Sequence, residues 1–408
     1  MQGKDNLICK HDRAKILSIF TGTYFFAGAA AMCFAPLLPF IGEDLLVSKA
    51  RLGLCFSLLY LGSIISSFPS GWLADRWGVP KTLCLGLFIQ ALSLIIVSSA
   101  SSFGWMLFFL LISGLGFGAV NPATSKGIVD WFAVKWRATS MAIKQTGFTA
   151  GTMVAAATLP VIAGAAGWHW TVAIVAGLLI LSGISSYPFY PSIITKKKRV
   201  TNKRSTTAEI SIEEPVWKNR RIICWSVLVI FYAVVQISGT AYLSLYLVDH
   251  FLYSKVMAGI FLAVAQGGGT LGRVVWGRIS DVYFRKNRHT GFLIIGFIAA
   301  ATCIIMGLLP VGTHYIIVAA VAAVFGFTAM GYNGVFLTFI GEMAGPENAG
   351  RAIGFCVTIA YVGVVIGPPA FGFTVDILGY KYAWVMFGGI FAMVLAFTFM
   401  ATVHGSPF

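Results

Sequence analysis

Polar residues are sparse along the chain, and they fall at intervals that leave long apolar runs between them. The runs cover residues 16–41, 52–74, 82–100, 104–132, 138–163, 170–190, 221–248, 256–280, 290–311, 314–343, 352–375 and 382–403. Each is long enough to cross a hydrocarbon core of about 30 Å as a helix. The pattern therefore predicts an all-α membrane protein with twelve transmembrane helices. One long polar stretch interrupts it, residues 191–220, PSIITKKKRVTNKRSTTAEISIEEPVWKNR. Its composition reads as a basic linker lying against anionic lipid. The expected organisation is a six-helix bundle over 1–190, the linker over 191–220, and a second six-helix bundle over 221–408.

Composition agrees. Of 408 residues 58% are hydrophobic and 11% charged, and the mean hydropathy is +0.85, outside the range of soluble domains. The net charge of +15 does not indicate nucleic acid, because the cations are spread between apolar runs rather than gathered on one surface. They follow the positive-inside rule instead. Loops on the side of both termini hold 22 lysines and arginines, whereas the other side holds only Lys49, Arg51, Lys255 and Lys381. Both termini are expected in the cytoplasm, with the chain in a prokaryotic inner membrane. The first apolar run is too long for a signal peptide and reads as a span that stays. Seven scattered cysteines without CxxC spacing argue against a disulfide framework or a zinc site.

The punctuation between runs repeats. Gly71 to Lys81, GWLADRWGVPK, is echoed by Gly277 to Arg288, GRISDVYFRKNR, with Gly277 for Gly71 and Asp281 for Asp75. Asn121 corresponds to Asn333, Asp130 to Glu342, Gly147 and Gly151 to Gly363 and Gly367, and GWHW at Gly167 to GYKY at Gly379. The chain reads as a duplication, and duplicated halves with a central site are the mark of secondary transporters. The two loop segments resemble the loop signature of the major facilitator superfamily; the second copy is degenerate, with Phe284 where Gly78 stands. The resemblance implies two pseudo-symmetric bundles and transport by alternating access. It also implies that Asp75, Arg76, Asp130, Arg137, Asp281, Glu342 and Arg351 form charge networks that latch the cytoplasmic face.

Three cations lie inside spans: Lys126, Lys144 and Arg273. Arg273 is four residues from Gly277, about 6 Å deeper along a helix. A guanidinium there is costly unless it borders water or a partner, and the corresponding residue in the first half is Ser67. It can grip a carboxylate at two points, and monocarboxylate and oxalate:formate transporters of the superfamily carry a similar arginine. The competing expectations are snorkelling or a pair with Glu342. Lys126 is one turn from Asp130 and is expected to pair with it. Lys144 has no acid in sequence reach and is expected to be a second anion contact. Asn121 and Asn333 are interior polar groups that could bind substrate or join helices. Tyr24, Tyr232, Gln236, Tyr242 and Tyr246 are candidate pocket liners.

Gly267, Gly269 and Gly272 spell GxGxxG, yet no strand precedes them, so close helix approach is expected rather than a dinucleotide. No enzymatic signature, metal motif or cofactor motif is present. The resulting expectation is a transporter, not an enzyme: a monomer in membrane lipid that takes up a small, monocarboxylate-like anion, with proton symport. The alternative is efflux of drugs or apolar metabolites by proton antiport. Drug antiporters of the superfamily usually carry Gly-Pro in the fifth helix, whereas here it occurs in the eleventh, in GVVIGPPAFG, which counts against efflux.

Overall fold

A computed structural model describes residues 10–132, 134–186, 218–284 and 287–403. Among the described residues all regular structure is helical: α1 Lys10–Met32, α2 Phe34–Leu45, α3 Lys49–Arg76, α4 Val79–Val97, α5 Phe103–Trp131, α6 Val134–Ser186, α7 Arg220–Phe251, α8 Lys255–Val282, α9 Arg288–Leu308, α10 Tyr315–Phe325, a π-helical segment Gly326–Met330, α11 Asn333–Leu378 and α12 Tyr380–Val403. Among the described residues eleven helices are long and apolar enough to cross a membrane. Most of the predicted linker, residues 191–217, lies outside the described residues.

Helix ends follow local chemistry. Side chains of Ser102, Asn219 and Ser254 accept from the first backbone N–H groups of α5, α7 and α8, supplying partners that an open helix end lacks. Pro80 sits in the first turn of α4, where a missing N–H costs nothing. Long helices are interrupted at glycines: α6 is two helices meeting at Gly167, φ 83°, and α11 is two meeting at Gly345, φ 76°. Gly78 and Gly379, before α4 and α12, also have positive φ, 89° and 83°. In the degenerate copy of the loop signature Phe284 replaces Gly78 and has no such backbone.

Two compact units form: unit 1 is Met1–Cys33, Leu58–Val154 and Ala166–Ile212, and unit 2 is Phe34–Ser57, Ala155–Ala165 and Glu213–Phe408. Unit 1 is held by close seams. A methyl group added at Gly86 or Gly116 would strike the opposite backbone of α5 or α4, and one at Gly114 or Gly118 would strike α3. Gly147 and Gly151 bring the start of α6 against Thr21 and Phe25 of α1. Such small-residue contacts let helices associate by dispersion where lipid supplies no hydrophobic drive.

Unit 2 repeats the device. Gly363 and Gly367 of α11 press on Ile230 and Val234 of α7, and Gly268, Gly269 and Gly272 of α8 press on residues 323–330. The GxGxxG run thus serves helix contact, as its setting predicts. One end of unit 2 is polar: Lys49 Nζ reaches Asp249 Oδ2 at 2.5 Å, Tyr380 donates to the same oxygen at 2.9 Å, and the buried Tyr242 donates to the Lys49 carbonyl at 2.6 Å. In both units large apolar side chains are bare, Phe68 and Val274 being 88% and 68% exposed.

Candidate functional site

In unit 1 the central feature is Lys144, on the first half of α6 and only 1% exposed. Its Nζ donates to Asn121 Oδ1 and to Ser125 Oγ of α5, both at 2.8 Å, and lies 5.0 Å from the ring centre of Tyr24 on α1. Asn121 and Ser125 are one turn apart on α5, so both oxygens share one helix face. Among the described residues no carboxylate comes within ion-pair reach of Nζ. The ammonium is compensated by neutral dipoles and a π face, which hold a buried charge less firmly than a carboxylate does. Behind it runs a chain of rings, Tyr24, Phe148, Phe117 and Tyr60, with successive centroids 5.6, 6.1 and 6.3 Å apart.

In unit 2 the cluster is built on the π-helical segment. A π turn inserts a residue and releases carbonyls from the i to i−4 ladder. Here α8 claims them: Trp276 Nε1 donates to Phe327 O at 3.1 Å, and Arg273 Nε donates to Met330 O at 3.3 Å. Asn333 Nδ2 lies 3.4 Å from the same Met330 carbonyl and 3.5 Å from Gln236 Oε1 of α7. Arg273 is half-buried, between the exposed Leu271 and Val274, and adjoins the buried Tyr332. Two residues singled out by sequence, Arg273 and Asn333, thus share one carbonyl, and the Asn333 amide links them to a third, Gln236. The expected alternative of an Arg273–Glu342 pair does not form, because Glu342 belongs to another cation.

That cation is Arg288, 9% exposed at the start of α9. Its Nε donates to Glu342 at 2.6 Å, and its Nη1 donates to Asp281 at 2.8 Å and Ser280 at 3.0 Å. In unit 1 Lys126 pairs with Asp75 and, at 3.7 Å, with Asp130, the i to i+4 partner expected for it. Asp75 with Asp130 and Asp281 with Glu342 are therefore each gathered on one cation. The predicted arginines stand elsewhere: Arg137 donates to the Phe132 carbonyl at 3.1 Å, Arg76 lies 5.4 Å from the Trp72 ring centre, and Arg351 is exposed.

Sequence reasoning passed over Arg288 and Ser125. Arg288 ends the second loop copy and was legible only as a loop cation, whereas Ser125 is one of many span serines. The available signal for Arg288 was that Asp281 and Glu342 correspond to Asp75 and Asp130, so a cation shared in one set calls for one in the other. Among the described residues no group of three or more His, Cys, Asp or Glu could hold a metal ion.

The chain as a whole has relatives. The sequence profile of the Major Facilitator Superfamily matches residues 20–355 and 285–407. An MFS-type transporter of Mycobacterium tuberculosis is 26% identical over 379 residues, covering 91% of this chain and 80% of its own. The hexuronate transporter of Bacillus subtilis is 24% identical over 385 residues, 90% of each chain. A probable hexose phosphate transport protein of Chlamydia trachomatis is 25% identical over 430 residues, covering 98% and 91%. Among solved structures, a bacterial homologue of the human lysosomal transporter Spinster has the same fold, with TM-score 0.74, 16% identity and coverage of 97% and 98%. The chain is an integral multi-pass membrane protein, a transporter rather than an enzyme, and belongs to the Major Facilitator Superfamily.

Proposed function

We propose that this protein is a secondary active transporter that takes up a small organic anion together with protons by alternating access. The observation that carries the reading is Lys144, a buried ammonium whose partners are all uncharged. A cation kept in that state has a standing affinity for an anion, since an arriving carboxylate or phosphoryl group provides the charge that the protein withholds. Arg273 supplies a second cation; Tyr24 and Asn121 line the first cluster, Gln236 and Asn333 the second. The hexuronate and hexose phosphate carriers among the relatives handle acidic sugars, which makes sugar acids the first class to test beside lactate-type monocarboxylates.

Counting α6 as two crossings gives twelve, in two six-helix bundles joined by the basic segment, with both termini cytoplasmic and the chain acting as a monomer in lipid. On this reading Lys126 and Arg288 hold the acid pairs Asp75/Asp130 and Asp281/Glu342 as part of the inner latch. Arg76, Arg137 and Arg351 supply the remaining latch charge in the state where that face is shut.

The test is uptake of radiolabelled D-glucuronate, D-glucose 6-phosphate and L-lactate by proteoliposomes under an inward proton gradient. At least one is expected to accumulate, and Lys144→Gln and Arg273→Gln are each expected to lower its uptake tenfold or more. Undiminished uptake by both variants, or accumulation of none of the three, overturns the anion assignment.

A further inference from the structure

We infer that Asn121 and Ser125 act as built-in stand-ins for the substrate's anionic group, occupying its place on Lys144 until it arrives. This inference rests on the anion reading above and assigns Asn121 and Ser125 a role that differs from ordinary substrate contact. Asn121 Oδ1 and Ser125 Oγ each accept from Nζ at 2.8 Å and lie 3.4 Å from one another, the hydroxyl donating to the amide oxygen. The pair thus presents two oxygens side by side to a single ammonium. A carboxylate or a phosphoryl group does the same, but with charge.

Two features make the stand-ins displaceable. Lys144 is 1% exposed, whereas Asn121, which accepts from it, is an exposed residue and Ser125 is half-buried. An amide exposed within a span is tolerated where it borders water, not acyl chains, so Asn121 is the element an incoming solute meets first. The bond it makes is also the weaker kind, because hydrogen bonds between two ionised partners exceed those with a neutral acceptor. Exchange therefore trades two neutral contacts on Nζ for charged ones without ever leaving the ammonium bare. The price of an uncompensated buried cation is avoided in both states. The ligand class follows: a group that offers at least two oxygens and a full negative charge displaces the stand-ins, whereas a neutral sugar or alcohol offers nothing better than what is already there.

Two substitutions at one position separate a stand-in from a direct ligand. Asn121→Asp installs the missing charge permanently. The purified variant is expected to melt above the wild type without ligand, and to bind D-glucuronate, D-glucose 6-phosphate or L-lactate at least tenfold more weakly. Asn121→Ala removes a competitor. It is expected to melt below the wild type and to bind the same anion more tightly, by roughly threefold, whereas loss of a direct substrate contact would weaken binding. Thermal shift against anion concentration reads both quantities on the full chain in detergent. An Asn121→Asp variant that melts no higher than wild type, or an Asn121→Ala variant that binds the anion more weakly, overturns the stand-in role while leaving the anion reading intact. A wild-type protein that none of the three anions stabilises overturns both. If Asn121→Asp does not fold, the Asn121→Ala result alone decides.

Discussion

Asp376 closes over the start of the helix that begins at Lys49, 327 residues away in sequence: one carboxylate oxygen accepts the Lys49 backbone N–H at 2.9 Å, and the other accepts that of Ala50 at 2.8 Å. An acid from α11 thus does for α3 what an N-terminal cap usually does from within the chain. The positive end of the helix dipole adds to the attraction. From α7, Asp249 pairs with Lys49 Nζ and the Tyr242 hydroxyl donates to the Lys49 carbonyl, binding the same corner of unit 2.

Asp376→Ala should therefore loosen this corner. Loss of a capping acceptor costs about 1 kcal/mol in typical hosts, and here two N–H groups are orphaned at once. A fall in the melting temperature of the detergent-solubilised protein is expected, with Asp376→Asn, which keeps one acceptor, falling less. Equal effects of the two variants would show that charge rather than hydrogen bonding holds the end of α3.

The two shared cations should differ in weight. Arg288 is 9% exposed and serves two carboxylates and a hydroxyl, but Asp281 and Glu342 are 64% and 53% exposed and stay hydrated without it, so Arg288→Ala is expected to destabilise by about 1–2 kcal/mol. Lys126 is 29% exposed, and its carboxylates stay wetted. Lys126→Gln should cost about 1 kcal/mol or less. Melting curves in low and high salt would check both, since the effect at the more exposed Lys126 should shrink more with screening.

Gly326 opens the π-helical segment with its Cα against the Ala265 backbone, and an added methyl would overlap the Ala265 carbonyl. Gly326→Ala is expected to force α8 away from residues 323–330, costing about 1–3 kcal/mol and displacing Trp276 and Arg273 from the Phe327 and Met330 carbonyls. Reduced folded yield and reduced anion uptake should appear together. Gly277→Ala, where nothing lies within 4 Å, should leave both unchanged.

Arg273→Lys tests what the guanidinium contributes beyond charge. An ammonium can meet the Met330 carbonyl or an anion but lacks the planar fork that reaches two points. Uptake of the transported anion is expected to fall several-fold in Arg273→Lys, with the apparent KM rising, and further in Arg273→Gln. Retention of wild-type uptake by the lysine variant would reduce the role of Arg273 to a point charge.

Much of this fold is legible in the sequence because lipid imposes a simple rule: apolar runs must be helical and about twenty residues or more, so hydropathy alone locates the crossings. Glycine pairs such as Gly147/Gly151 and Gly363/Gly367 were readable as helix seams for the same reason, there being few other uses for small residues spaced by four in a span. The Lys126–Asp130 pair followed from helix geometry. What escaped depended on distance along the chain. Nothing near Asp376 points to Lys49, nothing near Glu342 points to Arg288, and the freed carbonyls at Phe327 and Met330 arise from a single inserted residue that leaves no mark on composition. Lys144 was identifiable as unusual by the absence of a nearby acid, but its two neutral acceptors sit 19 and 23 residues earlier on another helix.

Four corners of the chain turn on Gly78, Gly167, Gly345 and Gly379, and at none of them does space decide the residue: an added Cβ would meet nothing within 4 Å at three of them and only Pro80, at 3.8 Å, beside Gly78. What bars a side chain there is handedness, because a positive φ sets the Cβ of an L-residue against its own backbone. A D-alanine introduced by chemical synthesis or semisynthesis would enter these corners without strain, where L-alanine would not. At these four corners stereochemistry rather than space sets the residue, and they stay open to a mirror-image residue that the genetic code cannot supply.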